Sequence, residues 1–290
     1  MKIYGMDFTS APRRKKPITY TECTLENGIL QVNNLRYFEH FNQFEYFLDS
    51  EGDWILGIDF PFSQPRKLIT NLELPLTWEG YVDIIGKMNK HAFEDMLTEY
   101  CHSRPKGDKH HFRVTDKIAK SCSPMTLYGT PVGKMFYQGA PRLLKSTVSI
   151  LPSRPIHGSR IVVEAYPKLV AMKWIGKRGY KNDTKKKQSD EQKTARSEIV
   201  RGLCSGELRD YYGFDIELSE KLKFALVEDP TGDNLDALLC AVQTGWAYEQ
   251  RDQGYGIPSD CDPLEGWIVD PDLLSSPWDT YIPPCSRFES

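Results

Sequence analysis

The chain has 290 residues, a hydrophobic fraction of 40%, a charged fraction of 27% and a formal net charge of −3. These values are typical of a folded protein, and no apolar stretch approaches the roughly 20 residues of a membrane span, so no membrane partner is expected. Seven cysteines without a Cys-x-x-Cys pair argue against a disulfide framework and favour a cytoplasmic protein.

The first part of the chain predicts a mixed α/β sheet. The predicted elements are strands over residues 2–8, 17–23 and 28–33, a helix over 41–49 and a strand over 54–59. Asn27-Gly28 is a hairpin-turn signal between the second and third strands. A hairpin meander, a crossover helix and a parallel strand open a ribonuclease-H-like sheet, although other mixed sheets begin in the same way. We therefore expect a mixed five-stranded sheet flanked by helices.

The rest of the chain is expected to complete a single ribonuclease-H-like domain over residues 1–290. Residues 63–158 show no regular spacing of apolar residues over most of their length and are interpreted as an insertion. Within it we predict a helix over 90–102 and an ordered loop over 129–144. A strand at 161–164 returns to the sheet. The remaining predicted elements are helices over 188–204, 217–228 and 233–250, and an acidic C-terminal extension over 257–290.

The helix predicted over 233–250 has two apolar faces of different size. Large side chains such as Leu235 and Trp246 form one face, and small side chains such as Ala237 and Ala241 form the other. Because a small face lets a helix lie close to its neighbour, we expect this helix to be internal. Its first-turn acids would then be directed toward the edge of the sheet.

Acidic residues stand at the edges of four apolar runs. Asp7, Asp59 and Glu164 end predicted strands, and Asp236 lies in the first turn of the last long helix, three residues after Asp233. Their joint occurrence favours a cation site, because acids from separate elements can surround an ion. Each of three has a structural alternative: a turn cap for Asp59, an ion pair with Lys168 for Glu164, and a favourable helix-dipole position for Asp233.

Carboxylates with open positions between them are typical protein ligands of Mg²⁺ or Mn²⁺. Two such ions about 4 Å apart can activate a water and stabilise the leaving oxygen of a phosphodiester. The sequence therefore predicts a two-metal hydrolase site. Its predicted catalytic residues are Asp7, Asp59, Glu164 and Asp236, and its predicted metal ligands are Asp7, Asp59, Asp233 and Asp236.

Basic side chains provide candidates for contact with the phosphates of DNA or RNA. The segment 173–196 is dominated by lysine and arginine, although short patches of this kind are also typical of solvated loops. The candidate nucleic-acid contacts are Lys134, Arg142, Lys177, Arg178 and Lys181.

Several blocks of the sequence together resemble a known family. They are Tyr4-Gly5-Met6-Asp7, Gly57-Ile58-Asp59-Phe60-Pro61-Phe62, Gly133-Lys134-Met135-Phe136-Tyr137-Gln138-Gly139-Ala140-Pro141-Arg142-Leu143-Leu144, Val163-Glu164-Ala165-Tyr166-Pro167, Asp233-Asn-Leu-Asp236-Ala237-Leu-Leu-Cys240-Ala241 and Glu265-Gly266-Trp267-Ile268. This combination is similar to the domain-of-unknown-function family 429, whose members are described as predicted nucleases of the ribonuclease-H-like fold. The resemblance spans the chain from residue 3 to about residue 268.

The resemblance implies a role for each acid. Asp7 would be the metal ligand of the first strand and Asp59 the acid of the fourth strand, while Asp233-x-x-Asp236 is similar to the paired acids on the last helix of Holliday-junction resolvases. Glu164 would be an additional acid of the fifth strand. Two other functions stay open: an ATPase or phosphotransferase of the related actin-like class, and a nucleic-acid-binding protein without catalysis.

Overall fold

A seven-stranded mixed sheet organises the computed structural model, which describes residues 1–274. The strands are β1 (Lys2–Asp7), β2 (Ile18–Glu26), β3 (Ile29–Phe38), β4 (Trp54–Asp59), β5 (Ser149–Ile150), β6 (Arg160–Glu164) and β7 (Asp215–Glu217). Their order is β5-β6-β4-β1-β2-β3-β7, with β2 antiparallel to both neighbours and every other neighbouring pair parallel. The expected mixed α/β sheet is confirmed. The expected count of five strands is wrong, because β5 and β7, of 2 and 3 residues, are too short to show a period.

Helices pack on this sheet through two apolar cores. The helices are α1 (Phe41–Leu48), α2 (Arg66–Asn71), α3 (Trp78–Lys87), α4 (Lys90–Ser103), α5 (Val114–Ala119), α6 (Val132–Lys145), α7 (Pro167–Ile175), α8 (Asp190–Leu203), α9 (Glu207–Tyr212), α10 (Glu220–Glu228), α11 (Asp233–Glu249) and α12 (Pro271–Leu274). Because side chains alternate along a strand, Met6 and Ile58 join the core beneath α1 and α3, whereas Ile3 and Ile55 join the core beneath α11. Within residues 1–274, no helix combines the length and the apolar character that crossing a membrane requires.

The order of elements at the start of the chain follows the predicted meander and crossover. Asn27 and Gly28 have φ angles of 52° and 72°, the left-handed conformation that tight hairpin turns need. Helix α1 then carries the chain from β3 to β4, which pairs with β1 in parallel. The predicted β-β-β-α-β order is confirmed.

The parallel register brings the ends of the central strands to one edge of the sheet. Asp7 of β1 lies beside Asp59 of β4, and Gly5 lies beside Gly57 two residues earlier. Glu164 ends β6 and lies beside Ile58. All three predicted strand acids therefore stand at the carboxyl edge, as the sequence indicates.

Helix α11 crosses the sheet directly over these two glycines. A Cβ atom on Gly5 would lie 2.0 Å from the Ala241 nitrogen, and one on Gly57 would lie 2.1 Å from the Thr244 hydroxyl oxygen. Only glycine allows the helix to approach so closely. The expectation of an internal helix is confirmed, since residues 235–247 of α11 are all buried.

The insertion over 63–158 is more helical than its sequence suggests. The predicted helix over 90–102 corresponds to α4. The ordered loop predicted over 129–144 is wrong, because α6 occupies Val132–Lys145. Glycine and proline lower the intrinsic helix propensity of this segment, but tertiary packing outweighs that cost: Phe136 and Leu143 are fully buried, and a Cβ on Gly139 would lie only 2.3 Å from the Phe60 ring.

The last third of the chain supplies the helices of the second core. Helix α8 matches the helix predicted over 188–204, but the stretch predicted as one helix over 217–228 divides into the end of β7 and helix α10, which begins after the Ser219 cap. In the predicted C-terminal extension, Ile268 makes a parallel bridge to Glu164 at the sheet edge. The part of that extension over 275–290 lies outside the described residues.

Candidate metal centre

Three carboxylates from three separate elements meet at the carboxyl edge of the sheet. Asp7 ends β1, Asp59 ends β4, and Asp236 lies in the first turn of α11. One carboxylate oxygen from each lies within 4.8 Å of the other two. The cluster forms because Gly5 and Gly57 lie two residues before the strand acids, on the same face of the sheet, and seat α11 with its first turn above them.

Burial raises the pKa values of the two strand acids, Asp7 and Asp59. Removal from water, followed by the charge of Asp233, raises the pKa of Asp7 well above its usual value, and Asp236 and Asp59 add to this effect. Burial also raises the pKa of Asp59 to about 7, against the opposing influence of Lys181. Raised carboxylate pKa values in a buried polar cluster, such as those of Asp7 and Asp59, are typical of a functional site.

Lys181 supplies one positive charge to the cluster. Its ammonium pairs with Asp236, whose other carboxylate oxygen accepts a hydrogen bond of 2.6 Å from the Tyr180 hydroxyl. The Lys181 side chain is 40% exposed, and its ammonium interacts with the carboxylates of Asp236, Asp7 and Asp59. Burial would lower the pKa of this ammonium, but the charges of Asp236, Asp7 and Asp59 hold it well above its usual range. Lys181 thus lies in the acidic cluster itself, whereas the sequence suggested a phosphate contact.

Asp233 lies beside the cluster but has its own partner. The Lys16 ammonium donates to Asp233 at 2.8 Å and to Asp183 at 2.7 Å. Asp233 is not one of the three acids whose oxygens converge. Its contribution to the centre is electrostatic, since its charge is the strongest of those that raise the pKa of Asp7.

Glu164 stands at the same edge of the sheet in a separate ion pair. The Arg113 guanidinium donates to both of its carboxylate oxygens, at 2.6 and 2.7 Å, and the Phe62 backbone N–H donates at 3.0 Å. Arg113 also binds Asp116 at 2.8 and 2.9 Å, and all three side chains are buried. The sequence offered an ion pair as the alternative for Glu164, but with Lys168. The observed partner is 51 positions away in the insertion, where nothing in the sequence indicates it.

Four of the five basic residues singled out by the sequence are paired with acids. Three are paired with surface acids: Lys134 with Glu94, Arg142 with Glu45 and Arg178 with Glu198. Lys181 belongs to the acidic cluster. Lys177 is exposed and, among residues 1–274, forms no ion pair with an acid.

The sequence analysis missed Arg113, Tyr180 and Lys16 as residues that organise the site. The sequence does contain a signal for the position of α11, because Gly5-Met6-Asp7 and Gly57-Ile58-Asp59 share the spacing Gly-x-Asp. A glycine two residues before an acid indicates a close helix on the same face. That repeated spacing would have identified the face on which α11 lies.

The donor set suits a hard divalent cation. Carboxylate oxygens from Asp7, Asp59 and Asp236 are the ligands that Mg²⁺ and Mn²⁺ prefer. The Lys181 ammonium pairs with one of the three carboxylates, that of Asp236, and the nearby Lys16 ammonium pairs with Asp233, so the three carboxylates together carry more negative charge than Lys181 offsets. A divalent ion would neutralise that excess and relieve the repulsion that raises the pKa values of Asp7 and Asp59.

Comparison of the chain with protein-family models, with curated proteins and with solved structures returns no match. The resemblance to family 429 therefore stays a prediction, and the function has to be argued from the site.

Proposed function

We propose that this chain is a divalent-metal-dependent nuclease of the ribonuclease-H-like fold, which hydrolyses phosphodiester bonds in nucleic acid. The observation that carries the proposal is the convergence of Asp7, Asp59 and Asp236, from three elements, to within 4.8 Å. One element alone cannot surround a metal ion, so convergence of this kind requires a fold that assembles it.

The sheet supports the choice of fold class. Its central strands lie in the order β3-β2-β1-β4-β6, with only β2 antiparallel to its neighbours. A meander followed by parallel strands, with acids at the ends of the first and fourth strands, agrees with the ribonuclease-H-like interpretation of the sequence. Asp236 on the helix that crosses this sheet completes the set of acids.

Each residue of the centre has a distinct task in this proposal. Asp7, Asp59 and Asp236 would hold Mg²⁺ or Mn²⁺, which when bound activates a water and neutralises charge on the phosphate. Lys181 pairs with Asp236 and adds positive charge at the place where the anionic substrate would enter. Glu164 is assigned to structure, because Arg113 and the Phe62 N–H occupy both of its oxygens.

The proposal is tested by cleavage assays on purified protein. Labelled DNA and RNA oligonucleotides are incubated with Mg²⁺, with Mn²⁺ and with a chelator, and products are resolved by length. We expect cleavage with either metal, and a loss of about 100-fold or more for Asp7→Asn and Asp236→Asn. Asp83→Asn, which changes an exposed carboxylate paired with Lys87, is the control and should cleave like wild type.

Two outcomes would contradict the proposal. Equal cleavage by wild type and Asp7→Asn would separate the activity from the carboxylate centre. Metal-dependent hydrolysis of ATP without cleavage of any oligonucleotide would instead favour the actin-like class of phosphotransferases. Thermal denaturation of each variant establishes that a loss of activity is not a loss of fold.

A further inference from the structure

A cleft of about 410 Å³ opens beside the carboxylate centre. One wall comes from the insertion and the other from α7 with the loop that follows it. Asp59 and Lys181 line the cleft, so it is continuous with the metal centre. A molecule held in this cleft would therefore extend to the place where the proposed reaction occurs.

Much of the cleft wall is apolar. Pro61, Tyr166, Met172 and Ile175 line it, and Tyr166 and Met172 are only half-buried. Tyr166 and Asp59 line the same cleft, so the aromatic wall adjoins the carboxylate centre. A flat aromatic or aliphatic wall offers a surface on which a nucleobase can stack, whichever base it is.

The edge of the cleft offers positive charge and open backbone. Lys168 and Lys177 line it, are exposed and, within residues 1–274, form no ion pair with an acid. Gly176 and Gly179 flank Lys177 in the loop after α7, and a Cβ on either would meet no atom within 4 Å. Free lysines beside accessible backbone are suited to contact a phosphate.

The volume of the cleft limits what can enter it. It falls within the range of roughly 300–1,000 Å³ that is typical of small-molecule sites. A single nucleotide fits this range, whereas a base that remains paired and stacked within a duplex keeps its faces covered. An apolar wall next to the reaction centre therefore selects for a base that is already free of a partner strand.

We propose that this cleft binds an unpaired nucleotide of the substrate, with the base on the Tyr166–Met172 wall and a phosphate near Lys168 and Lys177. The protein then acts on single-stranded nucleic acid or on single-stranded ends. The assignment of the cleavage substrate rests on the proposed nuclease function, whereas binding in the cleft does not.

Binding is measured by fluorescence anisotropy in the presence of a chelator, which prevents metal-dependent cleavage. The probes are a fluorescein-labelled single-stranded oligonucleotide of about 12 nucleotides, as DNA and as RNA, and the blunt DNA duplex of the same sequence. We expect at least one single strand to bind about tenfold or more tightly than the duplex. A preference for single-stranded DNA or for single-stranded RNA supports binding in the cleft. The proposal is overturned if the duplex binds as tightly as both single strands, or more tightly.

Two matched pairs of variants locate the binding. Met172→Trp fills the cleft, and Met96→Trp makes the same change in a groove beside α4 that shares no lining residue with the cleft. Lys177→Glu and Lys221→Glu make the same change of charge at exposed positions. We expect Met172→Trp and Lys177→Glu each to weaken single-strand binding about tenfold, and the two controls to leave it within twofold.

These results separate the two proposals. If Lys177→Glu, at an exposed position that cannot disturb the core, binds single strands as tightly as wild type, the cleft is not the binding site. Metal-dependent cleavage of duplexes together with such a result would leave the nuclease proposal standing and remove this inference. If single strands bind in the cleft but the protein cleaves no nucleic acid, this inference stands and the nuclease proposal is removed.

Discussion

Replacing Asp59 with asparagine removes one of the three converging charges and should make the metal-free protein more stable. Burial raises the pKa of Asp59 to about 7, while the charge of Lys181 lowers it and those of Asp236 and Glu164 raise it. In the unfolded chain an aspartate titrates near 3.9. The folded protein therefore binds more protons than the unfolded chain between these values, and its stability falls as the pH rises through 7.

The size of the effect follows from the proton balance. Between pH 5 and pH 7 the extra proton that the folded state holds at Asp59 falls from about one to about one half, and each pH unit at one extra proton costs 1.36 kcal/mol of the free energy of unfolding. The wild type should lose about 2 kcal/mol at this residue over that interval. Asp59→Asn lacks this loss, so the difference between the two proteins should widen by about 2 kcal/mol and become constant above about pH 8.

The assay is urea denaturation in a chelator at pH 5, 6, 7 and 8, followed by circular dichroism. Asp83→Asn serves as the control for removing a carboxylate, because the Asp83 side chain is 51% exposed beside Lys87. Parallel pH dependences for wild type and Asp59→Asn would refute the reasoning. That result would mean that burial does not raise the pKa of Asp59 in the folded protein.

Three further changes test the assembly of the centre. Gly5→Ala should destabilise the protein by about 3 kcal/mol or more in urea denaturation, because the new Cβ would lie 2.0 Å from the α11 backbone, whereas Gly158→Ala, with open space around it, should be neutral. Glu164→Gln should cost about 3 kcal/mol of stability by leaving buried Arg113 with one anionic partner, yet titration calorimetry should show Mn²⁺ affinity within twofold of wild type. Lys181→Met should raise Mn²⁺ affinity about tenfold, since its ammonium competes with the ion for the same carboxylates; unchanged affinity would place Lys181 outside the centre.

The positions of the acids in the centre were predictable where they follow from local sequence pattern and strand geometry. Asp7 and Asp59 each follow an apolar strand, and parallel pairing of equal strands must bring their ends to one edge. Asp236 was predictable because the small face of α11 requires a close neighbour. Local sequence was insufficient for α6, where packing of Phe136 and Gly139 outweighs a poor helix propensity.

The gathering of acids at the carboxyl edge of a mixed sheet follows from local pattern, because the two-residue period of a strand and the size of glycine act over a few positions. Which of these acids remain available depends on packing between distant parts of the chain. Glu164 meets Arg113 across 51 positions, while Asp236 meets Lys181 across 55, and neither partner follows from a local pattern. Whether a carboxylate can bind an ion depends on the charges and hydrogen-bond donors around it. That environment exists only after the insertion and the loop after α7 have packed against the sheet edge.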